Sequence, residues 1–364
     1  MTTPQPRPGI MDIKAYVGGE SALTGVSRVL KLSSNEGALG PSPLAMQALR
    51  DHAEKMHRYP DGGCVKLRQA LAARWGLDAE RIVCGAGSDE VLVALCHAFA
   101  GEGDEVLYSQ HGFLMYPIAA KSCGATPVVA PETNLTTDVD ALLAAVTPRT
   151  KVVFVANPNN PTGTYLPSAE IQRLRDGLPP HVLLVLDAAY AEFVGNPDYD
   201  PGIDLVHSTD NTVMTRTFSK IFALGGLRLG WAYCPPAIAD VLNRYRGPFN
   251  VSAAAQVVGV AALEDRDFFD RCRSHNDRWL PWMLDQMRGL GFDATASVAN
   301  FVLVHLPTQP GRTAAEADLF LRQQGIIIRA MASYGLGEWL RITIGTEEEN
   351  QAVVDALTAF KAGW

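Results

Sequence analysis

Two runs of this chain, Val152-Val153-Phe154-Val155 and Val182-Leu183-Leu184-Val185-Leu186, are apolar at every position. A strand with one face in water alternates apolar and polar side chains, so an unbroken run has to be covered on both faces. Parallel sheets sandwiched between helices meet that condition. Neighbouring segments keep the same rhythm, with short strands expected in Ile82-Val83-Cys84, Glu105-Val106-Leu107-Tyr108-Ser109, Thr126-Pro127-Val128-Val129-Ala130, Thr212-Val213-Met214-Thr215 and Gly230-Trp231-Ala232-Tyr233. Helical spacing fills the gaps: from Ser88, around 113–122, after a Thr or Asp cap at 137–138, and over 167–178. Such alternation predicts right-handed crossovers and an α/β fold with a mostly parallel central sheet flanked by helices.

The rhythm changes near residue 250. A long helical region runs to about 290, followed by a strand at Phe301-Val302-Leu303-Val304, a helix over 315–324, strands at 326–331 and 340–345, and a closing helix from Glu347. This α+β order predicts a smaller domain over 251–364 after a large domain over 46–250, with residues 1–45 joining the smaller one.

Composition narrows the functions. With 31 Lys and Arg against 39 Asp and Glu the formal charge is −8, which argues against nucleic acid and anionic membrane as partners. An anionic ligand then requires a local arrangement of Arg, Lys and backbone N–H groups. The six cysteines include no Cys-x-x-Cys pair and fall largely in apolar runs, as buried reduced thiols of a cytoplasmic protein do. The eight histidines have no metal-ligand spacing, so no metal is expected. The proline-broken N-terminus has no signal-type apolar core, and no stretch approaches the roughly 20 apolar residues of a membrane span.

Chemistry-bearing residues fall just after the strands. Lys220 follows Thr217-Phe218-Ser219 and precedes the glycine-rich Gly225-Gly226-Leu227-Arg228-Leu229-Gly230. An amine where water is scarce has a lowered pKa and suits imine chemistry, while Ser219 and Arg228 suit a phosphate; the bland alternative is a surface lysine in a loop. Asp187 closes the apolar run at 182–186, either as a helix cap or as a ligand group at the carboxyl edge of the sheet, and Tyr190 follows it. Asn157 opens Asn157-Pro158-Asn159-Asn160-Pro161-Thr162-Gly163, which also reads as a plain turn cluster. Gly85-Ala86-Gly87-Ser88-Asp89-Glu90 joins strand to helix, as a phosphate cradle or an ordinary capped start. Phe113 and Tyr116 are core aromatics, or one of them stacks on a flat ligand.

Taken together, Asn157–Gly163, Asp187 with Tyr190, Ser219-Lys220 and Arg228-Leu229-Gly230 resemble the fold-type-I pyridoxal phosphate aminotransferases. Leu32-Ser33-Ser34-Asn35-Glu36, Arg58-Tyr59-Pro60 and Leu340–Thr346 extend the resemblance over nearly the whole chain, toward the histidinol-phosphate aminotransferase branch. The resemblance implies a large pyridoxal phosphate-binding domain, a smaller α+β domain and a homodimer. It implies that Lys220 holds pyridoxal 5′-phosphate as an imine and shuttles the substrate proton. Asp187 would pair with the ring nitrogen, Asn157 and Tyr190 with the ring oxygen, and Phe113 would stack on the ring. The backbone at Ala86, Gly87, Ser88 and Asp89, with Ser219 and Arg228, would hold the phosphate, which Tyr59 reaches from the partner subunit. Tyr16, Asn35, Arg329 and Arg341 would contact substrate, Arg341 as a carboxylate clamp and Arg329 with Tyr16 at a substrate phosphate. The expected reaction is reversible transfer between glutamate and imidazole-acetol phosphate. Aromatic amino acid transamination, threonine-phosphate decarboxylation and cofactor sensing by a regulator are the alternatives. The chain departs from the family at Gly37-Ala38, where Asn-Pro is usual, and at Gln110-His111-Gly112, where Pro-Thr is common.

Overall fold

The computed structural model describes residues 3–14, 18, 20–23, 25 and 28–363. Its main sheet has seven strands in the order Ile82–Gly85, Gly230–Tyr233, Thr212–Thr217, Leu183–Asp187, Thr150–Ala156, Glu105–Ser109, Thr126–Ala130. Every strand runs parallel to the rest except Gly230–Tyr233, which is antiparallel to both neighbours. The unbroken apolar runs are explained by what covers them. Val106, Val152 and Val185 pack on one face against Leu92, Leu95, Tyr116 and Ala119. Leu107, Val153, Leu184 and Leu186 pack on the other against Leu142, Ile171 and Leu174. Each position of Leu183–Asp187 is buried, as expected for a central strand of a two-sided layer.

Register then fixes the edge that matters. Ala156 pairs with Asp187 and Asp187 with Thr215, so two adjacent strands end level and the third, Thr212–Thr217, runs two residues further. Ligands of open α/β sheets bind beyond such carboxyl ends.

A second sheet, in the order Asp293–Ala294, Phe301–His305, Leu336–Thr343, Arg329–Met331, is antiparallel throughout. Trp279, Met283 and Met287 of helix Arg266–Gly289, Leu321 of helix Ala314–Gln323 and Leu357 of helix Glu347–Ala362 close over it. Thr313 with Glu316, and Thr346 with Glu349, form capping boxes that start the last two helices. The helical region after 250 is two helices, because Asp265 ends Ala253–Glu264 and its carboxylate caps Arg266–Gly289 at the Phe268 N–H. The first of these helices packs against Pro43–His52 and Val65–Trp75. Leu30 and Lys31 pair in parallel with Ile326 and Ile327, tying the N-terminal segment to the chain's last third. Among the described residues no helix is long and apolar enough to cross a membrane.

Candidate active site

Beyond the carboxyl ends of the main sheet lies a cavity of about 290 Å³, reached by Lys220, Asp187, Tyr190, Arg228, Arg329 and Arg341. Its floor is Asp187, 5% exposed. One carboxylate oxygen accepts from the Tyr116 hydroxyl at 3.0 Å and the other from the Thr215 hydroxyl at 3.3 Å. Burial pushes its pKa up to about 6, against the pull of Tyr116. No cation pairs with it among the described residues. A carboxylate desolvated this far is stabilised by a cation presented from the cavity side, which a protonated ring nitrogen supplies.

The phosphate end is a matter of close approach. Gly87 holds φ +91°, and a Cβ there would lie 2.4 Å from Arg228 Nη2. A Cβ on Gly230 would lie 2.2 Å from the Ser88 backbone nitrogen. Two small residues therefore let the Arg228 guanidinium and a reversed strand press against the start of helix Ser88–Phe99. Arg228 is itself left-handed (φ 54°), anchored to the Gly225 carbonyl at 3.0 Å and to Asp89 at 3.1 Å. Ser88, Asp89 and Ser219 line the same wall. A helix N-terminus with an adjacent guanidinium fits a phosphate dianion. Ala86 departs from expectation: its N–H donates to the Glu90 carboxylate at 2.5 Å, so that donor is already taken.

Between these ends, Lys220 Nζ donates to the Ser34 carbonyl at 3.3 Å and lies 5.6 Å from the centre of the Tyr190 ring. The Tyr190 hydroxyl accepts from Asn35 Nδ2 at 2.8 Å, and burial pushes its pKa up to about 12. Phe113 lines the cavity and meets Tyr116 edge-on at 6.0 Å. Tyr116 does not stack in the cavity; its ring lies flat on Phe154 at 4.6 Å while its hydroxyl holds Asp187.

Asn157 is a correction. Its amide exchanges two hydrogen bonds with the Leu166 backbone, at 3.0 and 2.8 Å, and it is not among the residues that line the cavity. The asparagine that lines the cavity is Asn160, whose Oδ1 accepts from Arg341 Nη1. Asn160 and Tyr334 of the cavity lining, and Thr215 behind it on Asp187, are among the residues that sequence reasoning missed. Thr215 had a signal, a hydroxyl inside an apolar strand, but only the register with Asp187 gives it meaning.

Arg341 is 6% exposed, donates to the Ser33 carbonyl at 2.8 Å and lies over the Phe301 ring at 5.3 Å. Arg329 is its direct partner across the antiparallel pair. Both guanidiniums line the cavity, so this rung presents two cations to anything bound there. Tyr59 lies elsewhere, 84% exposed and stacked on Phe249 at 4.8 Å. Tyr16 lies outside the described residues.

Fold and cavity together define an enzyme whose half-buried lysine lies in one cavity with a helix N-terminus and a guanidinium, and the chain belongs to the aminotransferase class I and II family, which it matches over residues 27–357. It is 66% identical to the histidinol-phosphate aminotransferase of Paramagnetospirillum magneticum over 360 residues, covering 99% of both chains. It is 59% identical to that of Rhodospirillum centenum, covering 98% of each. The crystal structure of histidinol-phosphate aminotransferase from Sinorhizobium meliloti in complex with pyridoxal-5′-phosphate superposes with a TM-score of 0.90 at 27% identity, covering 100% of this chain and 99% of that one.

Proposed function

We propose that this chain is a cytoplasmic, homodimeric transaminase that uses pyridoxal 5′-phosphate. In this reading it passes the amino group reversibly between histidinol phosphate and 2-oxoglutarate, giving imidazole-acetol phosphate and glutamate, in histidine biosynthesis. When bound, the cofactor supplies an aldehyde for amine exchange and a ring that takes up electron density from the substrate carbon. The chain's own residues do the rest. Lys220 holds the cofactor and carries the proton to and from the substrate carbon. Asp187 keeps the ring nitrogen protonated. Tyr190, fixed by Asn35, donates to the ring oxygen, and Phe113 covers one face and excludes water. The Ser88 and Asp89 N–H groups, Ser219 and Arg228 hold the phosphate, with Tyr59 entering from the partner subunit.

Support for anionic substrates comes from the facing arginines on one rung. Arg341, oriented by Asn160 and Ser33, grips a carboxylate in the glutamate half of the cycle. Arg329 takes the phosphate in the other half. Both halves share one cavity, so substrates alternate in ping-pong fashion. The high identity to relatives named for histidinol phosphate supports that donor. The test is a half-reaction: cofactor-loaded protein is mixed separately with histidinol phosphate, phenylalanine, tyrosine and threonine phosphate, and the bound aldehyde is followed by absorbance. Histidinol phosphate should convert it to the amine form fastest, without release of carbon dioxide. Equal conversion by phenylalanine, or carbon dioxide from threonine phosphate, would overturn the assignment.

A further inference from the structure

His111, two residues before the cavity-lining Phe113, has a use the reaction scheme leaves unassigned. Its Nδ1 lies 2.8 Å from Glu132 Oε2, and its backbone N–H donates to Glu132 Oε1 at 3.0 Å. The two side chains are 9% and 2% exposed. Burying such a pair rarely gains stability over apolar packing, and its best-attested use is to select one geometry among several.

The pair belongs to a closed circuit. The His111 carbonyl accepts from Asn159 Nδ2 at 3.2 Å, and the same amide donates to Thr162 Oγ1 at 2.9 Å. Thr162 and Thr164 share a hydroxyl bond at 2.8 Å, and Thr164 donates to the Leu135 carbonyl at 2.9 Å. Leu135 and Glu132 lie on one short hairpin, Glu132–Thr133 with Thr136–Thr137. The circuit therefore returns to its start. It encloses the backbone that delivers two cavity residues: Phe113, directly after the tight turn at Gly112, and Asn160, between Asn159 and Thr162. Leu135 and the cavity-lining Tyr334 both pack against the cluster of Leu303, Met331 and Leu336, so the hairpin braces the second sheet beside the cavity.

We infer that the His111–Glu132 pair is a positioning device that sets the ring-covering Phe113 and the Arg341-holding Asn160 in register with each other. The inference rests on the cofactor reading above, because only a bound ring gives the placement of Phe113 a measurable consequence. His111 and Glu132 touch no ligand and act through the segments they hold.

The experiment compares wild type with Glu132→Ala and with the near-isosteric Glu132→Gln. Readouts are the cofactor dissociation constant, the visible circular dichroism of the bound cofactor, and the KM for 2-oxoglutarate. Loss of an aligned stacking contact should raise the dissociation constant about tenfold in the alanine variant and about threefold in the glutamine variant. The visible dichroism should weaken, and KM should rise more than kcat falls. Should Glu132→Ala fail to fold, Glu132→Gln decides. If the variants only melt at lower temperature while cofactor affinity and dichroism stay at wild-type values, the pair is structural and the inference is overturned. Failure of the cofactor reading looks different, since wild type itself would then bind no cofactor.

Discussion

Buried at the end of its strand, Asp187 prefers a proton in the cofactor-free protein, its pKa having been pushed from 3.8 up to about 6. A raised carboxyl pKa favours the fold where the group is protonated, so this contribution is complete below about pH 4. It is lost as pH rises through about 6. The displacement corresponds to roughly 3 kcal/mol. Urea unfolding of cofactor-free protein between pH 4.5 and 7 should show this loss, and Asp187→Asn should abolish it. An unchanged pH slope in the variant would mean that another group titrates there. Most residues of the site were legible because each ends an apolar strand or opens a glycine turn: Asp187, Lys220 and Arg228 have no packing role that explains them alone. Asn157 misled for a physical reason. It and Asn160 share one turn, and the Leu166 backbone, nine residues on, decides which of them faces inward.

At the scale of elements, the phosphate end depends on the closeness of strand Gly230–Tyr233 to the start of helix Ser88–Phe99. Replacing Gly230 by alanine forces a Cβ to within 2.2 Å of the Ser88 nitrogen, so backbone has to move. Overpacking of this kind costs about 1–3 kcal/mol. Because the displaced atoms are the proposed phosphate donors, cofactor affinity should fall along with the unfolding midpoint. Titration of Gly230→Ala with cofactor checks this; wild-type affinity in a destabilised variant would detach the glycine from the cradle. The two-sided sheet was visible as unbroken apolar runs, since burial on both faces removes alternation. The reversal of Gly230–Tyr233 was not, because a short apolar run carries no direction. Two-residue strands such as Leu30–Lys31 are too short for any period and exist only through their partner Ile326–Ile327.

For the molecule as a whole, the proposed dimer, each subunit a large domain over 46–250 and a smaller one over 251–364 joined by 1–45, has its test in Tyr59. Exposed and stacked on Phe249, this ring sits apart from its own cavity. If it completes the partner's phosphate site, mixing Tyr59→Ala with Lys220→Ala subunits should regenerate one wild-type site per hybrid dimer. Each variant alone should be impaired. No gain on mixing would place Tyr59 in a purely local role.

The whole reading depends on distant strand ends serving one ring. Reduction of the cofactor-loaded protein with borohydride, followed by digestion and mass mapping, addresses it directly. The cofactor's mass should be found on the peptide containing Lys220 and should vanish in Lys220→Ala. Fixation at a different lysine, or undiminished fixation in that variant, would contradict the account.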